Sequence, residues 1–307
     1  MPNRVLWRLL AVVWWCAPFS VGCHWFEPAP AGKSPLTPLS LADDSADLEV
    51  VIFRFPAGDS ELGDPLWNQI DEQGFSADLR REMAANGLRA GLIGGPLPDM
   101  LSRRLAAAED QSSPTAKAAL LQGEPPVRRS RLQLHRGRPG KIVTSGTYDQ
   151  LSLLTRDDGQ VRGKTYSQAQ GLLVMQVDPL AEGRVRVDLT PNLEYGVNRQ
   201  QWVGEDGVFR LESGKPKQVF ERLKIETRLA PNQTLLLSSL PQRPGSLGHY
   251  LFTEQRSGRL EQKLLLIRLA GTKFDDLFAQ AVAPEEPKPG KHPADAPAAL
   301  PNPTAAK

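Results

Sequence analysis

The stretch RVRVDL at residues 184–189 indicates the fold class, because every second residue in it is apolar. Strict alternation of this kind is typical of a β-strand that buries one face. Similar short runs, bounded by turn sequences such as Asp158-Gly159 and Asp206-Gly207, follow one another along residues 127–281. Regular short strands with such turns predict a mainly antiparallel β domain, either a sandwich or a barrel.

The predicted elements of this β-rich domain are short. Its strands are expected at residues 131–134, 141–144, 149–154, 171–177, 184–189, 208–211, 220–229, 234–237, 249–253 and 262–269. Residues 272–281 (TKFDDLFAQA) predict a closing helix. Pro231-Asn232 is interpreted as a hairpin turn, because asparagine tolerates the left-handed backbone conformation.

Upstream, residues 48–110 predict a small α+β domain. Apolar, β-branched runs indicate its strands and capping residues indicate its helices. The strands are expected at 48–55 and 88–93, and the helices from Asp64-Pro65, at 76–86 with Ser76 as N-cap, and at 98–109. Residues 111–126 mix Ser, Pro, Gln and Gly and are predicted to link the two domains. The predicted fold class is therefore α+β.

Residues 1–22 have the composition of a secretory signal peptide. Two arginines and no acid precede residues 9–21, which carry no charge. A positive segment, a short apolar segment and a small residue at the cleavage point are the parts of such a signal. The apolar run is shorter than the roughly 20 residues that a spanning helix needs.

Ser-Val-Gly-Cys at residues 20–23 resembles the lipobox of bacterial lipoproteins. In that family the cysteine is lipidated, palmitate being among the acyl chains, and becomes the mature N-terminus. The resemblance therefore implies lipidation of Cys23 and attachment to a membrane. His24, where an inner-membrane lipoprotein carries Asp, implies the periplasmic face of the outer membrane. The alternative is an ordinary secreted protein in which Cys23 has no special role.

Both ends of the chain are predicted to be disordered. Residues 23–47 and 282–307 are rich in proline and poor in large apolar residues. Such segments bury too little surface to offset the entropy of ordering them. We expect the first to be a tether behind the lipid anchor and the second to be a free tail.

Charge and cysteine content exclude some functions. The formal net charge of +2 falls to 0 when Arg4 and Arg8 leave with the signal. A neutral chain does not favour binding to nucleic acid, which depends on neutralising phosphates. Cys16 leaves as well, so Cys23 is the only cysteine expected in the mature chain and no disulfide is predicted.

Two segments of the β-rich domain resemble the β domain of bacterial secretins. They are residues 183–196 (GRVRVDLTPNLEYG) and 222–241 (RLKIETRLAPNQTLLLSSLP). In the second, Thr227 and Gln233-Thr234 occur in the order of the secretin core signature, whereas Asn232 stands in place of its turn glycine. The resemblance implies self-association and partners among envelope or secretion-system proteins.

A working channel is not expected from this resemblance. The strands carry few aromatic residues and lack the repeated aromatic girdle of a barrel that faces lipid. We therefore expect a secretin-related interaction or assembly module of the cell envelope.

No catalytic, cofactor or metal site is predicted. The four histidines, at positions 24, 135, 249 and 292, lack the spacing of zinc ligands. Ser246 lies close to His249 in a glycine-rich segment that is more typical of a turn than of a catalytic pair. Residues 90–95 lack the ending of a phosphate-binding loop. We expect a non-enzymatic protein, with an envelope hydrolase or a glycan- or ligand-binding sandwich as alternatives.

Residues 128–141 form a basic stretch without acidic residues. Its cationic members are Arg128, Arg129, Arg131, Arg136, Arg138 and Lys141. Such a stretch can bind lipid phosphates, anionic glycans or an acidic partner. Because Leu132 and Leu134 alternate with polar residues, the favoured interpretation is a solvent-facing strand edge protected by charge.

The lipobox yields the first test. Replacement Cys23→Ala is expected to abolish acylation, since the thiol is the acceptor. Cell fractionation should find the wild type in the membrane fraction and the variant outside it. Intact-mass measurement should find added acyl mass on the wild type alone. A wild-type mature chain that begins at Cys23 without acyl mass would contradict the prediction.

Overall fold

The computed structural model describes residues 44–110, 125–157, 159–205 and 208–274. The predicted signal peptide, lipidation site Cys23 and tail lie outside the described residues, as do most of the tether and linker.

Most of the described residues belong to two antiparallel sheets. In the spatial order of its strands, sheet A consists of β2 (Leu88–Ile93), β11 (Thr234–Ser239), β13 (Arg259–Lys273), β1 (Ser45–Pro56) and β3 (Val127–His135), with β12 (Thr253–Arg256) also paired to β13. Sheet B consists of β10 (Ile225–Leu229), β6 (Val185–Glu194), β5 (Gln160–Pro179) and β4 (Gly140–Asp157), with β9 (Lys217–Val219) also paired to β6. A separate hairpin is formed by β7 (Arg199–Glu205) and β8 (Val208–Gly214).

The two sheets pack against each other through one hydrophobic core. Alternate residues of β6, among them Val185 and Val187, are fully buried there, as the sequence pattern predicts. Leu48 of β1 and Ile267 of β13 reach the same core from sheet A. The prediction of a mainly antiparallel, β-rich α+β fold is therefore confirmed.

Two helices cover the other face of sheet A. Among the described residues the helices are α1 (Asp64–Trp67), α2 (Ala77–Ala85), α3 (Asp99–Asp110) and α4 (Leu247–Phe252). Of these, α1 and α3 lie on this face, whereas Met83 of α2 and Leu251 of α4 belong to the core between the sheets. Leu66 of α1 and Leu101 of α3 join Phe53 of β1 in a second core on this side. As predicted, Ser76 caps α2 by accepting a hydrogen bond from the amide of Leu79. Strand β1 is thus covered on both faces.

The predicted separation of residues 48–110 from residues 127–281 is corrected by the pairing of strands. Strands β1 and β2 come from the first segment, yet both belong to sheet A with β11 and β13. The described residues fall in one compact unit. The physical reason is that β1, buried on both faces, needs strand partners on both edges, and β13 and β3 supply them.

Four local predictions also differ from the structure. Residues 220–229 were expected as one strand, but Glu221–Leu223 form a 3-10 helix and β10 begins at Ile225. Residues 249–253 were expected as a strand, but 249–252 lie in α4 because Ser246 provides a helix cap. The predicted closing helix at 272–281 begins inside β13, and residues 275–281 lie outside the described part. Asn232 adopts the left-handed conformation, with φ of 67°, but the turn leads from sheet B to sheet A and forms no hairpin.

A close backbone contact joins α4 to the end of α2. The amide of Gly248 donates to the carbonyl oxygen of Asn86 at 2.9 Å. The buried side chain of Asn86 also pairs with the backbone of Arg156 on β4, accepting from its N–H at 2.8 Å and donating to its carbonyl oxygen at 2.9 Å. A Cβ atom on Gly248 would lie 1.9 Å from the carbonyl oxygen of Gly87. Only glycine fits at residue 248.

We expect Gly248→Ala to lower the free energy of unfolding by about 3 kcal/mol or more, because backbone must move to admit the methyl group. Urea denaturation of the full mature chain measures the effect. The matched control is Gly94→Ala, where a Cβ atom meets nothing within 4 Å. Equal stability of the two variants would contradict the packing argument.

Glu49 connects three strands of sheet A. Its carboxylate accepts from Arg129 of β3 at 2.8 Å and from Arg268 of β13. Burial raises the pKa of Glu49, but the hydrogen bonds and charges of Arg268 and Arg129 lower it by more, so that the net pKa lies below its ordinary value. A carboxylate with a lowered pKa stabilises the fold above its unfolded pKa, and this contribution is lost as the pH falls through the folded pKa.

Replacement Glu49→Gln is therefore expected to cost about 1 kcal/mol at pH 7. The difference from wild type should begin to shrink as the pH falls below about 4.5, where the unfolded chain binds a proton at Glu49, and should disappear below the lowered pKa of the folded state, where the folded carboxylate is uncharged too. Thermal unfolding over a pH series measures this, with exposed Glu221→Gln as the control. A difference that stays constant down to pH 2 would show that charge is not the cause.

Candidate functional site

An irregularity in β4 opens the space between the two sheets. The register of β4 against β5 shifts between Val143 and Thr147. Within this bulge, Ser145 Oγ accepts from the amide of Gly171 at 2.8 Å, and Thr144 Oγ1 donates to the carbonyl oxygen of Gly171 at 3.2 Å. A bulge redirects backbone groups that a regular ladder would pair. Here the carbonyl of Thr144 is directed at sheet A.

Two cationic side chains of sheet A face this bulge. Arg54 of β1 and Lys263 of β13 are direct cross-strand partners. Both residues are buried, with 9% of Arg54 and 4% of Lys263 exposed. Like charges in opposite positions repel each other, and burial adds a desolvation cost. This part of the sheet is therefore not built for stability alone.

Lys263 has one partner on the opposite sheet and one on a neighbouring strand of its own sheet. Its Nζ atom donates to the carbonyl oxygen of Thr144 at 2.9 Å and lies 2.8 Å from a carboxylate oxygen of Glu254 on β12. The ammonium group therefore links both sheets and the edge strand β12.

Around these groups lies a cavity of about 290 Å³. It is lined by Ile52, Arg54, Arg128, Val143, Thr144, Ser145, Gly146, Gln170, Glu254 and Lys263. Among these lining residues three carry a positive charge and Glu254 carries a negative one, so the lining is more positive than negative. At the mouth, Arg128 donates from Nη2 to the carbonyl oxygen of Val143 at 3.0 Å. We call this site the cationic cavity.

The pKa values in the cationic cavity follow from burial and charge. Burial lowers the pKa of Lys263, and the positive charges of Arg54 and Arg128 lower it further, against the opposing effect of Glu254. Burial raises the pKa of Glu254, but its bond to Lys263 and the neighbouring cations outweigh this, so that its net pKa is lowered. Glu254 is therefore ionised at neutral pH. An added anion would relieve the remaining repulsion among the cations.

The donor set of the cavity suits an oxyanion. An ammonium group and guanidinium groups are donors that bind carboxylate and phosphate oxygens in proteins. Burial of Lys263 strengthens such bonds relative to those in water. The arrangement can therefore hold an acidic group against the inner face of sheet A.

In the structure, the cationic side chains of the basic stretch contact different parts of the molecule. Because side chains of a strand alternate between faces, Arg128 reaches the cationic cavity, whereas Arg129 pairs with Glu49 and Glu109 on the helix side. Arg136 pairs with Asp44 and Asp178, Lys141 of sheet B pairs with Glu194, and Arg131 is exposed. Both strands that carry the stretch end a sheet path, β3 in sheet A and β4 in sheet B, in keeping with the interpretation as a charged edge.

The Ser246–His249 pair serves as a helix cap. Ser246 Oγ donates to the carbonyl oxygen of Arg243 at 2.6 Å and accepts from the backbone amide of His249 at 3.3 Å. The imidazole Nδ1 of His249 lies 3.1 Å from Thr253 Oγ1. Burial lowers the pKa of His249. The serine hydroxyl is thus engaged with backbone groups and not with the imidazole.

The remaining candidate residues from the sequence have structural roles. Gly91 lies in β2, where a Cβ atom would come within 2.3 Å of Ile70. Asp157 pairs with Arg222. Among the described residues, no group of three or more His, Cys, Asp or Glu side chains is placed to hold a metal ion. Within those same ranges, no helix is long and apolar enough to cross a bilayer.

Comparison with known proteins adds no assignment: no protein-family model, no curated protein and no solved structure matches the chain.

Sequence reasoning missed the cationic cavity, although a signal for it exists. Arg54 interrupts the apolar run 48–55, and Lys263 precedes the apolar run 264–267. A charge inside an otherwise apolar strand indicates either an edge position or a buried polar site. No local sequence pattern predicts the strand pairing that places Arg54 beside Lys263.

Proposed function

We propose that the chain is a non-enzymatic, lipid-anchored protein of the cell envelope that binds an acidic group of a ligand in the cationic cavity. The observation that carries this proposal is the buried cross-strand pair of Arg54 and Lys263, which faces a solvent-reaching space with an excess of positive charge. Buried charges persist in proteins where they are paired or have a function.

Binding is preferred to catalysis because of what surrounds the cations. The hydroxyl protons of Thr144 and Ser145 are donated to the carbonyl oxygens of Gly171 and Gly146, and Ser145 Oγ also accepts from the amide of Gly171. Activation of a nucleophile requires a base within hydrogen-bond reach. The donors of the cationic cavity meet the simpler requirement of holding an anion.

Attachment to the membrane rests on the lipobox at residues 20–23, and the proposed location is the periplasmic face of the outer membrane. Kinship with secretin β domains stays a prediction from residues 183–196 and 222–241. Self-association is a second candidate function, favoured by the position of β3 at the end of the sheet A path.

The binding proposal is tested by isothermal titration calorimetry on the full mature chain with acetate, succinate and inorganic phosphate. We expect saturable binding of at least one of these anions by the wild type. Lys263→Gln should weaken it by about 30-fold or more, because a buried charged donor is lost. Arg128→Gln, at the exposed mouth, should weaken it by about 3-fold.

Arg131→Gln is the matched control, since it removes the same charge from an exposed position on the same strand, β3. Its affinity should equal that of the wild type. The unfolding midpoint of each variant is measured to confirm that it is folded. The proposal is overturned if the wild type binds none of the anions at 10 mM, or if Arg128→Gln and Arg131→Gln bind equally and Lys263→Gln binds as the wild type does.

A further inference from the structure

The two charges that meet in the cationic cavity differ in their access to water. The side chain of Lys263 is 5% exposed, whereas that of Glu254 is 38% exposed. A buried ammonium group depends on its partners for solvation, while a partly exposed carboxylate can exchange its partner for water. The ion pair therefore has one fixed member and one replaceable member.

Backbone positions strengthen this difference. Lys263 lies on β13, whose neighbours β1 and β11 hold it inside sheet A, and its Nζ atom is also bound to Thr144. Glu254 lies on the four-residue strand β12, which is off the main path of the sheet. Rotation of the Glu254 side chain into solvent leaves the ladders of sheet A intact.

We infer that Glu254 is an internal competitor of the ligand, and that the ligand is a carboxylic acid whose carboxylate replaces that of Glu254 on Lys263. The inference rests on the proposed binding function and specifies its ligand. Exchange of one carboxylate for another conserves both the charge and the geometry around the ammonium group.

The size of the cavity limits the ligand. A volume of about 290 Å³ is at or below the lower end of the range for pockets that enclose whole drug-sized molecules. The cavity therefore fits a small organic acid, or the carboxylate-bearing end of a larger molecule whose remainder stays in solvent.

The test compares Glu254→Gln with wild type on the full mature chain, by calorimetric titration with acetate, succinate and inorganic phosphate. Removal of the competing charge should raise the affinity for acetate and succinate by about 5- to 10-fold, because the ligand no longer has to displace Glu254. The expected gain is smaller for phosphate, which does not match the carboxylate geometry.

Glu261→Gln is the matched control. Glu261 is the cross-strand partner of Glu254 on β13, so its replacement makes the same change of charge at the same place in the ladder. Glu261 does not line the cavity, although its charge acts on Arg54, which does. The affinity of the Glu261→Gln variant should stay within about 2-fold of the wild type, because no ligand contact is changed.

The outcomes separate this inference from the proposed function. A gain for Glu254→Gln and none for Glu261→Gln supports internal competition. An equal gain in both variants, or an affinity for Glu254→Gln at or below that of wild type, overturns it while leaving the binding function standing. A gain for phosphate that exceeds the gain for the carboxylates overturns the ligand class. Absence of binding in the wild type and in every variant overturns the proposed function.

Discussion

The pairing of β1 with β13 is the constraint on which the rest of the structure depends. It joins residues more than two hundred positions apart in the sequence, from Ser45 with Lys273 to Pro56 with Glu261. Each strand then gains a further neighbour, β3 or β11, and both faces of sheet A become buried, one by sheet B and the other by helices. Closing so long a loop costs entropy, and the apolar area buried on two faces offsets that cost.

The same pairing creates the site. Its register places Arg54 directly opposite Lys263, so two cations share one position of an otherwise apolar surface. A regular sandwich would leave them against hydrocarbon. The bulge in β4 instead directs the carbonyl of Thr144 towards Lys263, and the edge strand β12 brings Glu254 to the same atom. The register brings the two cations together, whereas the bulge and the edge strand supply the oxygen atoms that solvate the charge of Lys263.

Local patterns in the sequence predict elements well and their partners poorly. The alternation at 184–189, the cap at Ser76 and the left-handed turn at Asn232 all follow from the chemistry of neighbouring residues, and the structure contains each of them. The turn at Asn232 does not reveal that the next strand joins another sheet, and residues 249–253 have strand-forming side chains although a serine cap begins a helix there. Pairing across the sequence is decided by the burial of whole faces, which a short window of residues does not contain. The cationic cavity escaped prediction for that reason, because it exists only where distant strands meet.

The ion pair of Lys263 with Glu254 also limits how tightly the cavity can bind a ligand. Without Glu254, the empty protein would bury an ammonium group whose charge only a backbone carbonyl offsets, at a cost to stability. With Glu254, the empty protein is stable, but a ligand gains only the difference between its own contacts and those that it displaces. The observed affinity is therefore always lower than the intrinsic affinity, by the free energy needed to release Glu254 from Lys263. A site built in this way favours reversible binding, in which the carboxylate of Glu254 returns to Lys263 whenever the ligand leaves.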